Sequence, residues 1–529
     1  MTRTKRELSL ILPFYAGLTL LFPWPLATRL FSHVPISGSG VDALSGLYAL
    51  TWGIHALAHA PFDYFQSNVF YPHAESLAFG DHLFGMAATL APLQWTLANP
   101  TLTYNVGILM SFVIAAAGAY LLARHITGSV RPGLLAGLLY GFSATRFAEL
   151  GRLDALALHG LPWIFLLGHL YLESRRRRLI YLGAFFTLVQ GVSSTRSLSL
   201  LAVSAALAFS YSLYRQRRRH RFLFWRHRVH FLTAFAIFLL GLAPFVKPYL
   251  THHFDEGGWG APVSTAEAVA VAPEETVHRA STMSFPVESA LEDVRSPGFV
   301  ALLLIVLLVI AVLRRDSGDD HRVYFYSALG AFALLLGTLL PIQVGALVSL
   351  CAAVLAAISC RFLERTVGAM PAGNALVSGL IVLAAVELHP RPVSLHESVP
   401  RQGPPEVYLW LDGTEPEAIV IELPSIPDEE SGTIELARRQ YYSVYHWRST
   451  VDGVTDRVPS RTRAIRERLR RFPDQRSIAQ IRALHVDYAV VHWNEYPAEE
   501  RRRVRAELSG RSDLVLEKEF GETSAYRVE

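Results

Sequence analysis

RQRRRHRFLFWRHR, residues 215–228, runs directly into VHFLTAFAIFLLGLAPFVKPYL, residues 229–250. A dense basic cluster thus abuts an apolar run close to the roughly 20 residues a helix needs to cross a bilayer. The rest of the chain repeats the pairing. Its 529 residues are 51% hydrophobic and only 18% charged, with mean hydropathy +0.28, whereas soluble domains carry about 25% charge. Apolar runs near 9–31, 102–123, 132–148, 160–174, 179–193, 197–214, 229–250, 297–313, 323–340, 342–360 and 374–388 predict about eleven membrane spans. The first reads as a retained span, because no small-residue cleavage site follows it.

The charges between the runs alternate in sign. Arg3, Lys5, Arg6, Arg124, Arg131, the RRRR run 175–178, the 215–228 cluster, Arg314, Arg315, Arg322, Arg361 and Arg365 fall on one side. Residues 32–101 hold Asp42, Asp63, Glu75 and Asp81 with no Lys or Arg, and residues 251–296 are strongly acidic. Positive charge marks the cytoplasmic side, so the N-terminus is expected inside and the C-terminus outside. The net charge of +4 is therefore topogenic, and a nucleic-acid partner is not expected. The basic clusters also suit anionic lipid headgroups. Cys351 and Cys360 share one apolar run, which excludes a disulfide framework.

Residues 1–390 are expected to form the transmembrane domain, including the long outer loop 32–101. A Pro-rich linker follows at 391–405, and residues 406–529 read as an α/β domain outside the cytoplasm. EAIVIELP (417–424), VDYAVVHW (486–493), LVLEKEF and SAYRVE read as strands, with helices at 462–472, 477–485 and 497–509. The outer loop carries helical apolar spacing after Asp42 and again after His82, so each helix is expected along the membrane surface. Asp42 and Asp81 each precede such a run. Two readings stay open for both: an N-cap carboxylate, or a group with chemistry to perform. His55 and His59 stand one turn apart, a spacing that permits a shared metal but more commonly marks one helix face. No phosphate-binding GxxxxGK[ST] loop and no GxSxG elbow occurs.

Asp42, Trp52, Asn68-Val-Phe-Tyr-Pro72, Ser76-Leu-Ala-Phe-Gly-Asp81-His82, Asn99-Pro100, Tyr104-Asn105, LLAGLLYGFSATRFAEL (134–150), HWRSTVDG (446–453) and LHVDYAVVHW (484–493) occur in an order that looks familiar. The chain resembles bacterial polytopic membrane proteins of the GT-C glycosyltransferase superfamily, relatives of protein O-mannosyltransferases and oligosaccharyltransferases. It departs from their pattern in GRLDALALHG (151–160), and where LLLGTLLPIQVGALVSL (334–350) passes straight on to ISCRF.

The resemblance implies a multi-pass protein of the bacterial cytoplasmic membrane. Such an enzyme takes a sugar from a polyprenyl-phosphate donor to an envelope glycan, lipid or protein acceptor on the outer face. It implies Asp42 as the base and Asp81 as a second acid, with His82, Arg146, Arg196 and Asp154 in substrate binding. A divalent metal ion at Asp81 and His82 is one option it leaves open, and no other cofactor is expected. The alternative is a non-catalytic membrane protein whose outer domain binds envelope polysaccharide or lipid.

Overall fold

The computed structural model describes residues 2–36, 40–194, 217–255, 298–313, 321–339, 344–367, 373–389, 392–400, 403–425, 434–455 and 458–529. The expected span at 197–214 and most of the acidic loop 251–296 lie outside them. Four described helices or helical segments are long and apolar enough to cross a membrane: Pro100–Thr127, Leu153–Ser174, Arg226–His252 and Gly345–Val367. Glu7–Leu21, Phe299–Val312 and Gly373–Glu387 are apolar but shorter. The run expected at 132–148 is broken, because helix α5 (Val130–Gly141) stops before the separate short helix α6 (Ala144–Ala148).

Helix α4 (Pro100–Thr127) is the central column. It packs against α1 (Thr2–Leu21), α5, α8 (Leu161–Ser174) and Gly345–Val367. Its middle turns are Ala115, Ala116, Ala117, Gly118 and Ala119, all buried. Lipid tails are as apolar as leucine, so helices associate in a bilayer through close backbone approach at small residues rather than by hydrophobic exclusion. At one end of the bundle the basic residues assigned to the cytoplasmic side meet acids. Arg124 pairs with Glu7 at 3.3 Å, Arg322 with Glu173 at 3.2 Å and Arg361 with Glu364 at 2.7 Å.

The C-terminal domain holds a five-stranded sheet in the order β4-β3-β5-β7-β6. Strands β3 (Ile419–Leu423), β4 (Ser449–Thr450) and β5 (Tyr488–His492) are mutually parallel, while β6 (Leu514–Phe520) and β7 (Thr523–Val528) close it antiparallel. β5 is buried at all five positions, as a strand covered on both faces must be. Three of the helices lie close to the expected ranges, at Ser460–Leu469, Gln475–Ala483 and Ala498–Ser509.

This domain is seated on the loop 32–101, so the two lie at the same end of the bundle. Helix α2 (Val41–His59) packs between α3 (Phe84–Leu97) and α4 on the membrane side and Ile434–Tyr442 of the C-terminal domain. Most of its residues are buried all round, which corrects the surface-lying helix expected for it. The segment of the Pro-rich linker around Leu395–Glu397 is strand β2, paired antiparallel with β1 (His33–Pro35).

Asn68 is the pin between loop and domain. Its carbonyl accepts from Thr450 N at 2.6 Å, its Nδ2 donates to Arg448 O at 3.1 Å, and Tyr48 Oη donates to its Oδ1 at 2.7 Å. Tyr71 N then donates to Thr450 O at 2.9 Å, so the NVFYP segment covers the sheet edge at β4. Asn68→Ala leaves buried partners unsatisfied and is expected to cost about 1–3 kcal/mol. Thermal unfolding of the purified chain in detergent reads that loss directly.

Candidate active site

Helix α2 starts at Val41 because Gly40, its N-cap, has φ +82°. An added Cβ there would be strained by that φ and would lie 3.2 Å from Ile36 Cγ2. The cap makes no side-chain hydrogen bond, and Asp42 falls within the first turn. Its carboxylate is 54% exposed, with Oδ2 3.9 Å from Arg152 Nε. The cap position therefore belongs to the glycine, while Asp42 stands in the first turn, where a carboxylate complements the helix dipole and also faces Arg152. Asp81 corrects the same way. α3 begins at Phe84 with Leu83 as a cap that makes no side-chain bond, and the Asp81 carboxyl instead shares a hydrogen bond with that of Asp154.

Asp154 stands in the short helix α7 (Leu153–Leu156), at the head of the helical segment that continues through α8. Arg152 gathers the acids. Its Nη2 is 3.3 Å from Asp154 Oδ2 and its Nη1 3.3 Å from Glu149 Oε2, while Nε faces Asp42. The NPTLTYN motif supports this corner. Asn99 caps α4, its Oδ1 accepting from Leu102 N at 2.7 Å, and one turn on the buried Tyr104 Oη donates to Gly151 O at 3.0 Å, beside Arg152. Gly46 of α2 lets the tyrosine pass, since an added Cβ would lie 2.9 Å from its hydroxyl. The motif thus positions the loop that carries Arg152 against the helix that carries Asp42.

His82 does not join this group. It is buried, with Nδ1 3.0 Å from Tyr249 Oη and its ring stacked on Phe245. Burial pulls it down to about 4 against the opposing charge of Asp81, so it is neutral near pH 7. Arg146 lies close by but deeper. Its Nη2 donates to Ser111 Oγ at 3.0 Å and to Leu156 O at 3.4 Å, and the guanidinium carbon sits 4.9 Å over the Phe112 ring. It is 4% exposed, and its Nε makes no hydrogen bond among the described residues. A buried cation held by neutral groups is a place where an anion is favoured. Arg196 lies outside the described residues.

His55 and His59 stack face to face at 4.3 Å, and His55 stacks on Trp447 at 3.7 Å. Parallel rings do not aim their nitrogens at one ion, so the pair serves the contact between α2 and the C-terminal domain. Burial, with His59 beside it, brings His55 down to about 4. Among the described residues no three His, Cys, Asp or Glu side chains gather tightly enough to hold a metal ion. At the carboxylates, the position a cation would take is filled by the Arg152 guanidinium. The residues present therefore do not fit a divalent ion, and no step below runs through one.

Arg152 and Glu149 were not singled out as site residues by the sequence reading. The signal was there: RFAELGRLD places four charges in a short stretch flanked by apolar runs. Such charges in a membrane protein are expensive and commonly functional.

No known family's sequence pattern matches the chain, and no curated protein matches it. Solved structures do. The oligosaccharyltransferase of Archaeoglobus fulgidus in its apo form aligns over 92% of this chain and 69% of its own, at 12% identity and TM-score 0.51. AglB of the same organism, in complex with an inhibitory peptide and a dolichol-phosphate, aligns over 93% and 70%, at 13% identity and TM-score 0.51. ArnT from Cupriavidus metallidurans aligns over 99% and 98% at 10% identity, with TM-score 0.42. In fold, this chain is similar to the archaeal oligosaccharyltransferases.

Proposed function

We propose that this protein is an integral-membrane glycosyltransferase that moves a sugar from a polyprenyl-phosphate donor to an acceptor at the outer face of the membrane. The observation that carries the reading is the meeting of Asp42 and Asp154, from two separate segments, at the Arg152 guanidinium, with Asp81 from a third segment against Asp154. Helix caps and snorkelling charges do not converge in this way. The related fold has been seen with a dolichol-phosphate, which supports a lipid phosphate as leaving group here.

In this reading the acceptor hydroxyl lies against Asp42. Its oxygen attacks the anomeric carbon, the carbon–oxygen bond to the lipid phosphate breaks, and the hydroxyl proton passes to the Asp42 carboxylate. The departing polyprenyl phosphate carries the bonding electrons away. Arg146, buried without an acid partner among the described ion pairs, would meet that negative charge. The half-exposed position of Asp42 leaves room for the acceptor, and the Arg152 guanidinium stands 3.9 Å from its carboxylate.

The test offers polyprenyl-phosphate sugars to the purified chain and measures release of polyprenyl phosphate. Wild type is expected to turn over. Asp81→Asn is expected to slow it at least tenfold, by removing the carboxyl that lies against Asp154. Wild type that releases nothing from any such donor removes the reading.

A further inference from the structure

We propose that Arg152 is a built-in cation, so that this carboxylate cluster works without a divalent metal ion. The inference rests on the glycosyltransferase reading for its role in turnover, but its charge argument stands on the geometry alone. Several carboxyl groups brought to one corner repel each other unless a cation joins them. A divalent metal does so by drawing carboxylate oxygens to about 2.0–2.6 Å. Here the joining group is a guanidinium whose three nitrogens each face a different acid: Nε to Asp42, Nη1 to Glu149 and Nη2 to Asp154. The remaining acid, Asp81, is satisfied by the hydrogen bond it shares with Asp154.

Two features separate this from a chance surface contact. The Arg152 side chain is only 18% exposed, and its backbone is fixed through Gly151 by the buried Tyr104. A planar fork with fixed donors can hold three acids in register, whereas an ammonium cannot reproduce the angles. A metal entering the cluster would have to displace that fork or stand against its charge. Arg152 is thus a positioning residue, setting the direction and ionisation of Asp42 through a permanent charge.

The experiment has two arms on the full chain in detergent. The first follows Mn2+ binding by the electron paramagnetic resonance signal of the free ion. Wild type and Arg152→Lys are expected to bind none at the cluster. Arg152→Gln exposes the bare carboxylates and is expected to bind Mn2+ at least tenfold more tightly than wild type, a gain that an added Asp154→Asn reverses. Wild-type binding that Asp42→Asn abolishes overturns the inference, and so does an Arg152→Gln chain as empty as wild type. The second arm measures donor turnover in excess EDTA. A change of less than twofold supports the inference, and a loss of tenfold or more that Mn2+ restores overturns it. Absence of turnover under every condition counts against the glycosyltransferase reading alone, because the binding arm needs no catalysis and an Arg152→Gln site that fails to form still decides the charge argument.

Discussion

Asp42→Asn is expected to reduce donor turnover by about 10²–10⁴-fold, the range a positioned general base contributes, while leaving the thermal transition nearly unchanged. The two halves of this result follow from the same geometry. Asp42 is not the cap residue of α2, and its side chain is half exposed, so replacing it with an isosteric amide removes little that the folded state depends on. The amide cannot accept the acceptor's proton, and it leaves Arg152 with two acids rather than three. A capping residue would behave in the opposite way: asparagine caps as well as aspartate, so neither stability nor turnover would fall. Parallel measurement of release rate and melting temperature separates the readings. Turnover at the wild-type rate would remove Asp42 from the chemistry, whatever the melting temperature does.

Much of this corner was legible in the sequence, and the reason is chemical. Charged residues are so rare in the apolar runs and so one-sided in the loops that Asp42, Asp81, Arg146 and Asp154 stood out singly. The motif pieces also proved to be spatial partners, since NVFYP meets HWRSTVDG through Asn68 and Thr450. What the sequence could not give was direction. The cap assignment failed because Gly40 and Leu83 occupy the cap positions, and local spacing cannot say which residue takes the left-handed turn. The buried state of α2 was hidden for another reason. Its apolar positions fit a helix lying on a membrane as well as one covered by a folded domain, and only the seating of Ile434–Tyr442 decides between them. Arg152 was passed over because its meaning lies in three acids distant or adjacent in the chain, and no local pattern sums them.

The largest expected loss of stability lies elsewhere, in the buried ion cluster of the C-terminal domain. Arg439, 5% exposed, pairs with Glu495, donates to Pro424 O at 3.0 Å and lies 4.0 Å from Glu422. Glu422 itself accepts from Tyr408 Oη at 2.8 Å and faces His492 Nε2 at 2.7 Å. Removing one member of such a cluster strands the others, so Arg439→Met is expected to cost about 3–5 kcal/mol. Burial alone would raise the Glu422 carboxyl, but the His492 hydrogen bond, the neighbouring charges and the Tyr408 hydroxyl together hold it below the ordinary value. A depressed folded-state value means that its stabilisation is complete above the unfolded carboxylate value of about 4.3 and is lost as pH falls through the folded one. Wild type is therefore expected to keep its melting temperature from neutral pH down to about 5 and to lose it below about 4. Arg439→Met takes one cation from Glu422, moves its value upward, and should shift that acid limb to higher pH while lowering stability at pH 7. Melting followed by the fluorescence of buried Trp493, whose Nε1 donates to Ser524 Oγ at 2.7 Å in the same domain, tests both effects in one pH series. An Arg439→Met chain within about 0.5 kcal/mol of wild type, the range of an ordinary surface change, would show that this cluster is not what holds the C-terminal domain together.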